Sequence, residues 1–80
     1  MNSEDIVKRF FEVLDYLIER RRIKTIGHFA SLVGSNRGDF TRLRKDPGRS
    51  LFKVHWIAFL YKRFNISPEY ILTGEGEMFI

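Results

Sequence analysis

The sequence predicts an all-α domain of five helices, with the second and third joined as a helix-turn-helix. Three observations carry that expectation. Apolar residues recur at three- and four-residue steps rather than in strict alternation. A capping residue precedes each apolar run. In the stretch FASLVGSNRGDFTRL, Phe29 to Leu43, Gly34 stops one run and Asn36 restarts the next two residues later.

Helix 1 is expected to begin at Ser3, an N-cap followed by Glu4 and Asp5, where the helix dipole favours acids. Ile6, Phe10, Val13, Leu14, Leu17 and Ile18 give it one apolar face. Arg20, Arg21 and Arg22 stand at its C-terminal end, where phosphate contact and dipole-matched surface both suit them. Thr25 caps helix 2, of about nine residues, which presents Ile26, Phe29, Ala30 and Val33 on one side before Gly34 ends it.

Asn36 caps helix 3, and Asp39 three residues on can reach back in the manner of a capping box. Phe40 and Leu43 form its core side. The opposite side carries Gly38, Thr41, Arg42 and Lys45, flanked by Arg37 and Arg44. Asp46, Pro47 and Gly48 make a turn, and Ser50 caps helix 4 from about Leu51 to Phe64, whose apolar residues run nearly all round and predict central burial. Ser67 with Pro68 opens helix 5, which Gly74 stops.

Eighty residues support one core, so 1–80 is a single domain, and 44% hydrophobic residues with twelve aromatics are enough to fold it. The charge of +4 is segregated: Arg20 to Lys53 holds ten basic residues against two acids, while the rest of the chain is net acidic. A basic middle third points to an anionic partner. Without cysteine there is no disulfide or thiolate metal site, and two distant histidines cannot hold a metal alone. His28 reads as a surface residue and His55 as a half-buried packing residue. No apolar run approaches the ~20 residues of a membrane span, so a soluble, cytoplasmic protein is expected, with no cofactor.

Catalysis finds little footing. Glu75 and Glu77 lie in a terminal turn with no apolar pocket to raise a pKa, and GEGEM lacks the Lys-Ser/Thr and preceding strand of a phosphate loop. The chain is not expected to be an enzyme. Met78 and Phe79 are expected to fold back onto the domain, and Trp56 to be buried.

A helix-turn-helix whose second helix exposes arginine, amide and hydroxyl groups suits the DNA major groove, where Arg can bond guanine in a bidentate fork. Thr25 to Leu43 resembles the lambda-repressor and Cro-like transcription regulators, the xenobiotic-response-element family: Phe29-Ala30, Val33-Gly34, Asn36 and Phe40-Thr41-Arg42-Leu43 stand at the family's motif positions. Asn65 to Phe79, NISPEYILTGEGEMF, resembles the segment that closes the DNA-binding domain of many phage-type repressors.

The resemblance implies a lambda-repressor-like fold with a recognition helix from Asn36 to Lys45, reading bases through Asn36, Arg37, Gly38, Thr41 and Arg42. Arg22, Lys24, Thr25, Arg44, Lys45, Arg49 and Lys53 are then candidates for the DNA backbone. Ile26 stands where the family usually has Gln, and the connector RKDPGRS is about two residues longer than usual. Asp39 has two available roles, capping and acceptance from cytosine N4. The implied function is sequence-specific double-stranded DNA binding in transcriptional regulation, as a phage- or mobile-element-type repressor acting as a homodimer, with dimerisation through a domain outside this chain; an 80-residue chain then reads as the N-terminal part of a longer repressor. The alternative is a protein-interaction module, an antitoxin-like helical domain that binds an acidic partner.

Overall fold

The computed structural model describes residues 3–80, and they form five α-helices: α1 (Ser3–Glu19), α2 (Ile26–Leu32), α3 (Arg37–Lys45), α4 (Val54–Phe64) and α5 (Pro68–Thr73). The fold is all-α among the described residues, with one isolated antiparallel bridge, Ile66 to Phe79. No helix is long and apolar enough to cross a membrane.

α1 is the spine. Val7, Phe10, Phe11, Val13, Leu14 and Leu17 line its buried face, and Phe10 is the hub of an aromatic cluster. Its ring meets Phe29 of α2 at 5.9 Å, Phe40 of α3 at 6.3 Å, Phe52 at 5.2 Å and Trp56 of α4 at 5.6 Å. One side chain thus gathers every element that positions α3. Contacts of this kind are each worth about 0.5–1.5 kcal/mol beyond burial. Ser3 is itself helical rather than the residue before the helix.

The end of α1 differs from expectation. The helix stops at Glu19, so the arginine triplet follows it instead of occupying its last turn. Arg22 N–H donates to Leu17 and Arg21 N–H to Ile18, a Schellman closure with Arg21 in the left-handed region at φ 61°. No glycine marks that stop.

α2 closes in the same way with glycine in place. Gly34 has φ 68°, its N–H reaches Ser31 and the Ser35 N–H reaches Ala30 at 2.8 Å. The helix is seven residues long, ending at Leu32. Thr25 caps it, its Oγ1 accepting from His28 N–H at 3.0 Å, while His28 Nδ1 accepts from Lys24 N–H at 3.2 Å. His28 is therefore a half-buried capping partner and not a plain surface residue, whereas His55 is exposed beside the Val33 carbonyl.

α4 begins at Val54, three residues later than expected, and Ser50 caps nothing. Asp46 explains the delay: its Oδ1 accepts from Gly48 N–H and its carbonyl from Arg49 N–H, which bends residues 46–49 into a turn. Leu51 and Phe52 still pack on the core, but from the connector. Nor is α4 buried all round: Val54 is 78% and Tyr61 46% exposed on its outer face.

α5 follows the expected pattern, with Ser67 Oγ accepting from Tyr70 N–H, Pro68 in the first turn and Gly74 left-handed at φ 78°. It packs mainly on α1. Arg9 of α1 ties the two together, donating from Nε to the Ile71 carbonyl at 2.7 Å and from Nη2 to that of Leu72 at 3.0 Å. The tail folds back as expected. Ser67 N–H bonds Met78 O at 2.7 Å, Ile80 N–H bonds Asn65 O at 2.9 Å, and Phe79 meets Tyr16 at 5.6 Å.

Candidate nucleic-acid interface

α2 and α3 meet through a turn of Gly34, Ser35 and Asn36 that is held from below. Trp56 of α4, 1% exposed, donates its indole N–H to Ser35 Oγ at 3.1 Å and packs on Phe40 of α3 at 4.3 Å between ring centres. Phe40 and Leu43 are fully buried. α3 is thereby fixed by its inner side, and its outer side is free to meet another molecule.

At the start of α3, Asn36 Oδ1 accepts from Gly38 N–H at 2.6 Å. A Cβ at Gly38 would stand 3.0 Å from that same oxygen, so glycine lets the cap close tightly. Asp39 does not reach back to complete a capping box. Its N–H bonds the Asn36 carbonyl, and its carboxylate pairs forward with Arg42 Nη1 at 3.0 Å. The pair is exposed, so its value is in aiming the Arg42 guanidinium more than in stability.

Thr41, exposed one turn along, donates its hydroxyl to the Arg37 carbonyl at 3.2 Å and keeps its lone pairs outward. The stem of Arg37 runs against the first turn of α2, its Cδ 3.4 Å from where a Cβ at Gly27 would sit. Asn36, Arg37, Gly38, Thr41 and Arg42 therefore share one outer surface of α3 and its cap, with Arg37 leaning towards Thr25.

The candidate backbone residues divide. Lys24 and Thr25 lie exposed at the start of α2, Lys45 ends α3, Arg49 is in the connector, and Lys53 is the residue before α4, making no side-chain cap bond. Arg22 lies over the Phe64 ring at 5.4 Å. Arg44 is set apart: it makes a two-pronged pair with Asp15 of α1 at 2.7 and 3.1 Å and covers the Phe11 ring at 4.5 Å. That side chain braces α3 against α1. Nothing in the sequence spacing connects Arg44 with Asp15, because the pair spans 29 residues.

No protein-family model, curated protein or solved structure matches this chain. The interface therefore stands on its residues alone: a two-helix corner anchored by Trp56, and an outer surface of cations, one amide and one hydroxyl with a single carboxylate, Asp39, already paired.

Sequence reasoning missed two residues that shape this surface. Ser35 stands between the Gly34 stop and the Asn36 cap without a signal of its own and is the acceptor for Trp56. Gly27 gave no signal, yet its missing side chain leaves room for the Arg37 stem.

Proposed function

We propose that the chain is a sequence-specific double-stranded DNA-binding module of the lambda-repressor and Cro-like type, acting in transcriptional regulation as a phage- or mobile-element-type repressor. The observation that carries this reading is the two-sided character of α3. Phe40 and Leu43 are buried, while Arg37, Thr41 and Arg42 present a donor-rich surface with no exposed apolar anchor. Such a surface suits the acceptors of guanine and the phosphate oxygens of a groove wall. In this reading α3 lies in the major groove, Thr25, Lys24 and Lys53 hold phosphates, and two copies bind a pseudo-palindrome. No step of chemistry is assigned to the chain.

Selection from a random duplex pool, followed by salt titration of the winner against a scrambled duplex, tests it. Enrichment of a short motif bound well above the scrambled control is expected. Recovery of no motif, with both duplexes bound equally, overturns it.

One observation favours the second reading, a protein-interaction module. A largely apolar groove of about 610 Å³ lies between the start of α1, the connector and α4, lined by Ile6, Phe52, Val54, Ile57, Tyr61 and Leu72. An exposed apolar patch on a small domain suits a protein partner. Alanine changes at Val54 and Tyr61 that leave DNA selection intact separate this surface from α3.

A further inference from the structure

Four arginines lie over aromatic rings, and only one of them has a carboxylate. Arg44 pairs with Asp15, but Arg20 over Tyr16 at 4.7 Å, Arg22 over Phe64 at 5.4 Å and Arg63 over Phe59 at 5.6 Å make no ion pair among the described residues. Phe59 and Phe64 are themselves 6.2 Å apart, so Arg22 and Arg63 arrive at one aromatic pair from two directions, one from the end of α1 and the other from the end of α4. Lys62, exposed, precedes Arg63 on the last turn of α4. Glu19, the last residue of α1, makes no ion pair among the described residues.

A guanidinium held over a ring loses freedom of its stem, while the ring leaves its N–H groups open to a planar pair of acceptors. Phosphate oxygens fit that fork, and the ordering cost has largely been met before binding. The position matters as much as the chemistry. Arg22 leads through Lys24 to Thr25 at the start of α2, and the Arg37 stem rests on that same turn. Cations are thus linked stepwise, from Arg37 of α3 resting on the start of α2, through Lys24 to Arg22, and by Arg22 to Phe64 at the end of α4. None of the exposed large apolar residues belongs to this series, which suits a polyanion better than a lipid surface.

We infer that Arg22, Lys62 and Arg63 form a second phosphate-binding surface that takes the DNA flank beyond the base pairs facing α3. This rests on the DNA-binding reading above and extends it. The footprint is then longer on one side than α3 alone would give, and the added contacts carry no sequence information.

The test uses the full chain, the selected duplex with about ten extra base pairs on each side, and an R22Q/K62Q/R63Q variant whose fold is checked by circular dichroism. Each lost phosphate contact lowers the slope of log K against log salt by about 0.9, so the slope should fall by roughly two to three while the selected motif stays the same. Hydroxyl-radical protection should be lost from one flank only. Lys62→Glu covers the case of a misfolded triple variant, since Lys62 stacks on no ring, and it should lower the slope by itself. An unchanged slope and unchanged protection overturn this inference while leaving the DNA reading intact. Loss of binding to phosphatidylserine vesicles with none to DNA also overturns it. If the wild-type chain binds no duplex at all, both fall.

Discussion

The indole N–H of Trp56 reaches Ser35 Oγ at 3.1 Å, so a buried residue in the first turn of α4 holds the turn between α2 and α3. The bond makes the angle between α2 and α3 a property of the core. Ser35→Ala leaves a buried indole donor without its acceptor and should cost about 1–2 kcal/mol. In a Trp56→Phe background the same change should cost little, because the donor is already gone. Denaturant unfolding of the four proteins in a double-mutant cycle measures this. Equal costs in the two backgrounds would show that the bond does not couple them.

Arg9 clasps the last carbonyls of α5, and its stem lies against Gly74, whose missing Cβ would stand 3.3 Å from Nη1. Arg9→Ala should destabilise the fold by about 1.5–3 kcal/mol, since charge-assisted bonds to otherwise unsatisfied helix carbonyls are lost together with packing. Arg9→Lys should recover only part, because an ammonium cannot reproduce the fork. Amide exchange should show α5 and the tail opening first. Uniform loss of protection across all helices would mean that the clasp is not local.

Tyr70 donates its phenol to the Glu12 carboxylate, and that bond, with burial and the nearby negative charge, pushes its pKa above the ordinary 10.0, against a smaller opposing pull from Arg9. The folded state therefore holds the proton more tightly than the unfolded state. This contribution to stability is fully present below pH 10.0 and is lost as pH rises through the folded value. Tyr70→Phe should be less stable than wild type at neutral pH, with the difference shrinking in alkali. Thermal melts at several pH values read this, and a difference that grows with pH would contradict it.

Arg21 occupies a left-handed position that disfavours residues with a Cβ. Arg21→Gly should stabilise the domain by about 0.5–1 kcal/mol and raise Tm by a few degrees. Scanning calorimetry tests this directly. A lower Tm would mean that the Arg21 side chain makes a stabilising contact that outweighs its backbone strain.

On DNA, Arg37→Ala should relax base preference at one position by about 1–3 kcal/mol, and Lys53→Ala should weaken every sequence alike while flattening the salt dependence. Binding measured on the selected site and on its single-base variants separates the two. The lean of Arg37 onto α2 sharpens the test: a loss spread evenly over all sequences would make Arg37 a backbone contact.

Local rules made much of the fold legible. Gly34, Asn36, Ser67 with Pro68, and Gly74 each mark the boundary they occupy, because caps and left-handed stops depend on the few residues around them. The start of α4 at Val54 is not legible in this way, for the opposite reason. Leu51 and Phe52 are apolar and packed, and periodicity cannot tell a buried connector residue from a helical one while Asp46 silently bends the chain. At the candidate interface, the outer residues of α3 follow from 100° spacing. The pairs Arg44 with Asp15 and Trp56 with Ser35, 29 and 21 residues apart, exist only once the helices have been brought together.

Trp56 is the chain's single tryptophan, enclosed by Phe10, Phe40 and Phe52. The molecule thus contains its own spectroscopic gauge. Emission and near-ultraviolet dichroism come from an indole that touches α3's Phe40 on one side and the α2–α3 turn on the other. A shift in either signal on adding a duplex reports rearrangement of the scaffold beneath α3. A constant signal with tight binding reports rigid-body docking, and no label has to be introduced to tell the two apart.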